Sequence, residues 1–154
     1  MNWGHLFFTF DGRANRARFW IAGLIFAVVY AVMVILDYVT DQSVVFQALN
    51  SMLGIVILIA SIAVGVKRLH DRNKSGWYLL LFYFVPCTLA ALSVLIGAFV
   101  EDSTIIATVL ALLAFALVVW AFVELGCLRG TVGVNRYGPD PVAPATIPPV
   151  RLPT

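Results

Sequence analysis

Four unbroken hydrophobic runs alternate with short polar connections: Phe19 to Leu36, Val44 to Val66, Gly76 to Val100 and Ile105 to Val123. None contains a charged side chain. A helix needs about 20 residues to cross a hydrocarbon core, and each run is apolar around its whole circumference rather than along one stripe. The pattern predicts four membrane-spanning helices. Short connections make the first and second, and the third and fourth, antiparallel neighbours. Ahead of the first run, Trp3, Leu6, Phe7 and Phe10 share one side of a helix expected to lie flat in the membrane interface. Asp11-Gly12 ends that helix, and Asn15 is placed to cap the first span.

Composition removes the soluble alternative. Hydrophobic residues make up 62% of the chain and charged residues 12%, where a soluble domain carries about 25% charged residues. Two cysteines give no disulfide framework. All ten Lys and Arg fall before the first span, between the second and third, or after the fourth, whereas the two other connections carry only Asp37, Asp41, Glu101 and Asp102. Lys and Arg beside short loops are retained in the cytoplasm, so both termini and the central loop are expected there. Reversing the chain moves every cation against the membrane potential, at about 2.3 kcal/mol per charge per 100 mV. The fold class is therefore an all-α integral membrane protein: a four-transmembrane-helix bundle, both ends inside, with an N-terminal interfacial amphipathic helix. Residues 1–141 form that domain, and residues 142–154, rich in proline with one charge, read as a disordered cytoplasmic tail.

Small residues predict which helix faces touch. Gly23, Ala27 and Ala31 recur every four residues, as do Ser93 and Gly97. The second span carries a stripe of Gln47, Asn50, Gly54, Ser61 and Gly65, which places it innermost, and the fourth offers Ala107, Ala111, Ala114 and Ala121. Pro86 removes a backbone hydrogen bond and presses on the carbonyl of Phe82, which predicts a kink.

The chemistry gathers in the connections. Lys67 and Asp71, like Arg68 and Arg72, are four residues apart, so the second helix is expected to continue beyond the membrane with Asp71 holding Lys67 or Arg68. Asn73 suits a left-handed stop and Ser75 a cap for the next helix. His70 and Asp71 are sequence neighbours and on a helix point about 100° apart, a poor geometry for a base and its orienting carboxylate. Neither a Ser or Cys nucleophile nor a metal-ligand spacing stands out, so no enzyme activity, metal or cofactor is expected, and no nucleic-acid partner. Glu124, at the edge of an apolar run, is expected to pair with Arg129 or a loop cation.

Three segments carry a resemblance: Phe10-x-Gly12-Arg13 with Arg16 and Phe19-Trp20; Arg68-Leu69-His70-Asp71 with Ser75-Gly76-Trp77; and Gly130-x-x-Gly133 with Asn135-Arg136-Tyr137-Gly138-Pro139-Asp140-Pro141. Together, over about Phe7 to Pro141, the chain resembles the bacterial inner-membrane family catalogued as domain of unknown function 805. Asn73-Lys74 stands where that family often has Gly-Arg, and Val134 where it often has Pro. The resemblance implies a four-helix protein of the bacterial cytoplasmic membrane and no particular activity.

All three segments fall on the basic side of the predicted topology. The leading expectation is that Arg13, Arg16, Arg68, His70, Arg72 and Arg136 form one surface for an anionic lipid headgroup or an acidic partner. Asp71 and Asp140 would orient them, with Gly12, Gly76, Trp77, Asn135 and Tyr137 shaping the loops. A second expectation is a transporter or channel acting as a homo-oligomer, with Asn50, Pro86 and Glu124 near its path. A third is an adaptor whose tail meets a cytosolic protein.

Overall fold

Hydropathy places helix ends only to within about a turn, and local capping chemistry then fixes them. A computed structural model of the chain describes residues 3–40 and 43–142. It contains α1 (Trp3–Phe8), α2 (Arg16–Val39), α3 (Val44–Asp71), α4 (Val85–Phe99) and α5 (Thr104–Phe122). Two π-helical turns, Leu80–Phe84 and Val123–Cys127, lead into α4 and out of α5. The described residues form no strand. Four helical runs are long and apolar enough to cross a membrane: α2, α3, Leu80–Phe99 and Thr104–Cys127. Residues 143–154 of the expected tail lie outside the described residues.

Caps account for the boundaries. The Asn15 side chain accepts the Arg18 N–H at 2.9 Å, which starts α2 three residues ahead of the apolar run. Asn73 sits at φ +58° and turns the chain sharply after α3. Ser75 caps the start of the third span with a long bond. Its hydroxyl is 3.5 Å from the Trp77 N–H, and the turn is built mainly by the Ser75 and Gly76 carbonyls accepting from Tyr78 and Leu79. The kink expected at Pro86 takes the form of a π turn, in which the Val85 N–H reaches back five residues to the Leu80 carbonyl. A widened turn relieves the steric conflict between a proline ring and the carbonyl four residues before it.

Packing follows the small-residue pattern in the α4–α5 hairpin and at Gly65, where a Cβ would press on Leu79 at 2.9 Å. Ser93 Oγ donates to the Ala107 carbonyl at 2.7 Å, and a Cβ on Gly97 would sit 3.5 Å from that of Ala107, so α4 and α5 lie close together. Gly23 and Gly54 do not serve as contacts: a Cβ on either would meet nothing within 4 Å. The second span is the most buried of the four, as expected, but its burial is confined to Ala60–Asp71. Helix α1 does more than lie in an interface. Its Leu6 packs with Ala14, Ala22 and Val64, and the Phe7 ring meets that of Phe26 at 5.5 Å, which docks α1 on α2 and α3.

The two hairpins are joined at one end. Among the described residues, no Cα of α2 or α3 lies within 8 Å of a Cα of α4 or α5. The Val123–Cys127 turn touches both α2 and α3, and Leu69, Leu79, Phe82 and Leu125 form the apolar plug there. This is the end where the N-terminal segment, the 67–77 connection and the 128–140 segment meet.

Candidate functional site

Asp71, the last residue of α3, is 2% exposed and holds two guanidinium groups. Arg13 Nε donates to its Oδ1 at 3.1 Å, and Arg68 Nη1 donates to its Oδ2 at 2.5 Å. Backbone carbonyls accept further donors of both arginines. Arg13 reaches Thr131 at 2.5 Å, Gly133 at 2.7 Å and Gly138 at 3.3 Å. Arg68 reaches Leu125 at 2.7 Å and Leu128. A planar fork of fixed donors suits this task, which one ammonium group does not reproduce.

Lys67 makes a parallel contact one residue earlier. Its Nζ donates to the carbonyls of His5 and Leu6, in the last turn of α1. Of the two partners expected for Asp71, Lys67 or Arg68, the structure selects Arg68 and adds the distant Arg13, while Lys67 caps α1. Helix C-termini leave carbonyls without intrahelical donors and carry partial negative charge, so cations are stabilised there. Lys67 serves α1 in this way, and Arg68 serves the end of the fourth span.

Glu124 forms the second charged cluster, pairing with Lys74 at 2.7 Å and Arg72 at 3.1 Å. The expected loop cations are there, whereas Arg129 contributes its carbonyl to Arg72 rather than its charge to Glu124. Glu124 is 4% exposed, so these pairs fasten the fourth span to the central connection.

The 131–140 segment closes over the end of α3. Thr131 donates through both its N–H and its hydroxyl to the Asp71 carbonyl, and Asn135 Nδ2 donates to the His70 carbonyl at 2.9 Å. Tyr137 stacks on His70 with ring centroids 3.7 Å apart, and the Arg136 guanidinium lies over the Tyr137 ring, 4.8 Å from its centroid, while donating to the Asn73 carbonyl. His70 Nδ1 stands 3.3 Å from the Gly12 carbonyl. Gly133 and Gly138 sit at φ +78° and +131°, where side chains are strained, and that conformation turns both carbonyls onto Arg13. Asp140 lies within electrostatic reach of Arg13 and Arg129. It accepts the N–H groups of Val142 and Gly133, which hold its carboxyl below the usual range.

The five arginines and His70 grouped by the sequence are thus sorted by geometry. Arg13 and Arg68 are buried with their donors engaged, His70 and Arg72 are half-buried, and Arg16 and Arg136 remain exposed. Exposed Arg129 was not in the sequence's group. It lines a cleft of about 180 Å³ with Arg16, Asn15 and Asp140. Trp77 is 78% exposed, and a Cβ on Gly76 would press on Val66 at 3.1 Å. Asn50, Pro86 and Glu124 do not come together: Pro86 borders an apolar groove that neither of the others lines.

A family model described as "Protein of unknown function (DUF805)" matches residues 7–139. The chain belongs to the DUF805 family. Among curated relatives, the Escherichia coli K12 "Inner membrane protein YhaI" is 31% identical over 86% of this chain and 85% of its own. "Inner membrane protein YhaH" from the same strain is 28% identical over 86% of each. The "Uncharacterized protein YiiR" is 31% identical, again over 86% of each. No solved structure matches the chain. The DUF805 chain is accordingly a multi-pass inner-membrane protein, and the three segments that carried the resemblance are those that interlock around Asp71.

Gly130 was legible only as part of that motif. A Cβ there would lie 1.9 Å from Asp71 Oδ2. Gly130→Ala is expected to destabilise the protein by about 1–3 kcal/mol or more through overpacking. Gly54→Ala, in open space, is expected to be neutral or to gain about 0.5–1 kcal/mol. Thermal unfolding of both variants in the same detergent checks the contrast.

Proposed function

We propose that this DUF805 protein is a non-enzymatic membrane protein whose basic end faces the cytoplasm and binds anionic lipid headgroups. The observation that carries the reading is the exposure of Arg16 and Arg129 on one cleft at the start of α2, where the chain enters the membrane. The two carboxylates bordering that cleft are already occupied, Asp71 by two guanidinium groups and Asp140 by two backbone N–H groups. Arg16 spends one donor on the Cys127 carbonyl at 3.1 Å, which steadies the side chain and leaves its other donors for a phosphate.

Arg13 and Arg68 play a supporting part in this reading. Their donors are engaged within the protein, so they build the platform rather than meet the ligand. Orientation rests on the confinement of all ten Lys and Arg to the three basic-side segments.

Two measurements test the proposal. Reporter domains fused to either end are expected to show a cytoplasmic location, and a periplasmic signal from either contradicts the orientation. In nanodiscs of mixed phosphatidylglycerol and phosphatidylethanolamine, the protein is expected to retain phosphatidylglycerol preferentially. Juxtamembrane cations contribute about 1 kcal/mol each, so removing both charges with Arg16→Gln and Arg129→Gln should reduce that enrichment roughly thirtyfold. Equal lipid retention by the variant and the unaltered protein contradicts headgroup binding.

A further inference from the structure

We infer that the groove between the two hairpins seats one acyl chain of an anionic phospholipid, with the headgroup on the far side of Trp20 beside Arg16. The charge of this occupant rests on the headgroup reading above. The seat itself rests on separate observations.

The groove has a volume of about 420 Å³ and is walled by apolar side chains, among them Phe19, Phe82, Cys87, Val118 and Phe122. That volume lies within the range of about 300–1,000 Å³ typical of small-molecule sites. It exists because the backbone of α2 stays apart from those of α4 and α5, with no Cα pair within 8 Å, and α2 meets α5 through the Trp20 and Phe122 rings. Both π turns border it, through Phe82 of the first and Leu125 of the second. Such turns are uncommon in helices and concentrate at functional sites.

Gly23 supplies an independent indication. It lines the groove in the middle of α2, where glycine costs about 1 kcal/mol relative to alanine. Close helix approach does not account for it, since a Cβ would meet nothing within 4 Å. The missing side chain leaves space in the groove.

Trp20 makes the groove one half of an amphiphile site. Its indole N–H donates to the Gly126 carbonyl at 3.0 Å, and its ring meets Phe19 and Phe122 edge-on. A Cβ on Gly126 would fall 2.7 Å from the indole, so the close seat of this ring depends on glycine. The same ring also lines a second cleft, of about 460 Å³, with Asn15, Arg16 and Cys127. A fixed aromatic wall thus separates a cationic cleft from an apolar groove. This is the order of charge and hydrocarbon in a phospholipid, and the charge of Arg16 selects an anionic one.

The test uses the full chain in nanodiscs doped with phosphatidylglycerol or phosphatidylethanolamine bearing a photoreactive diazirine in one acyl chain. Adducts are mapped by peptide mass spectrometry. With phosphatidylglycerol, adducts are expected to concentrate several-fold on residues 82–87 and 118–122 over the lipid-facing Leu24 and Val28. Gly23→Phe, which fills the groove, should remove most of that excess. Should Gly23→Phe fail to fold, Cys87→Phe fills the groove from the facing wall. Equal concentration with both lipids supports the chain seat and overturns the headgroup reading. Even labelling along the spans, persistence of the excess in both filled variants, or crosslinks to a second protein copy at these residues overturns the seat.

Discussion

One buried carboxylate holds the basic end of this protein together. Asp71 binds Arg13 from before the first span and Arg68 from its own helix, and those two guanidiniums reach the carbonyls of residues 125–138. Burying charge is costly unless every partner is present, and removing one partner of such a set typically costs about 3–5 kcal/mol. Two guanidiniums share one carboxylate here. The balance comes from carbonyl oxygens, several of them at the end of the fourth span, where helix dipoles favour cations. Lys67 repeats that solution for α1.

Joining the hairpins at one end has consequences for the membrane-embedded part. Ser93, Gly97 and Ala107 bring α4 and α5 into contact along their length, whereas α2 meets α5 through the Trp20 and Phe122 rings at the joined end, with no Cα of α2 or α3 within 8 Å of one in α4 or α5 among the described residues. Hydrophobic attraction does not close the gap either, because lipid tails solvate these helices as well as other helices do. Polar knotting at the end therefore replaces apolar packing along the length. The separation leaves the groove beside Pro86 open, and the π turns at its rim place Glu124 and the Leu125 carbonyl on their partners.

Much of this was legible in the sequence because it is local or one-dimensional. Four uncharged runs mark the spans, Asn15 and Asn73 mark the ends of helices, and Glu124 beside a cationic loop marks an ion pair. The sorting of the arginines was not legible. Arg13, Arg16, Arg68 and Arg136 look alike in a chain, and which of them is buried depends on where distant carbonyls fall. The choice between Lys67 and Arg68 as the partner of Asp71 stayed open for the same reason: both lie within a helical turn of it, and a tertiary partner in α1 takes Lys67. Gly23 and Gly54 were read as contacts because small-residue spacing signals close approach without naming the neighbour. Gly130 carried no signal beyond the motif it belongs to, and Thr131 falls on one of that motif's unspecified positions.

The most direct test of this architecture is hydrogen exchange, followed peptide by peptide in nanodiscs, on Asp71→Asn beside the unaltered protein. A shared anchor requires protection to fall together in α1, in residues 13–16 and in residues 125–138, while the α4–α5 hairpin keeps its protection. Loss confined to residues 67–74, or no loss at all, would contradict the claim that Asp71 binds the three segments into one unit.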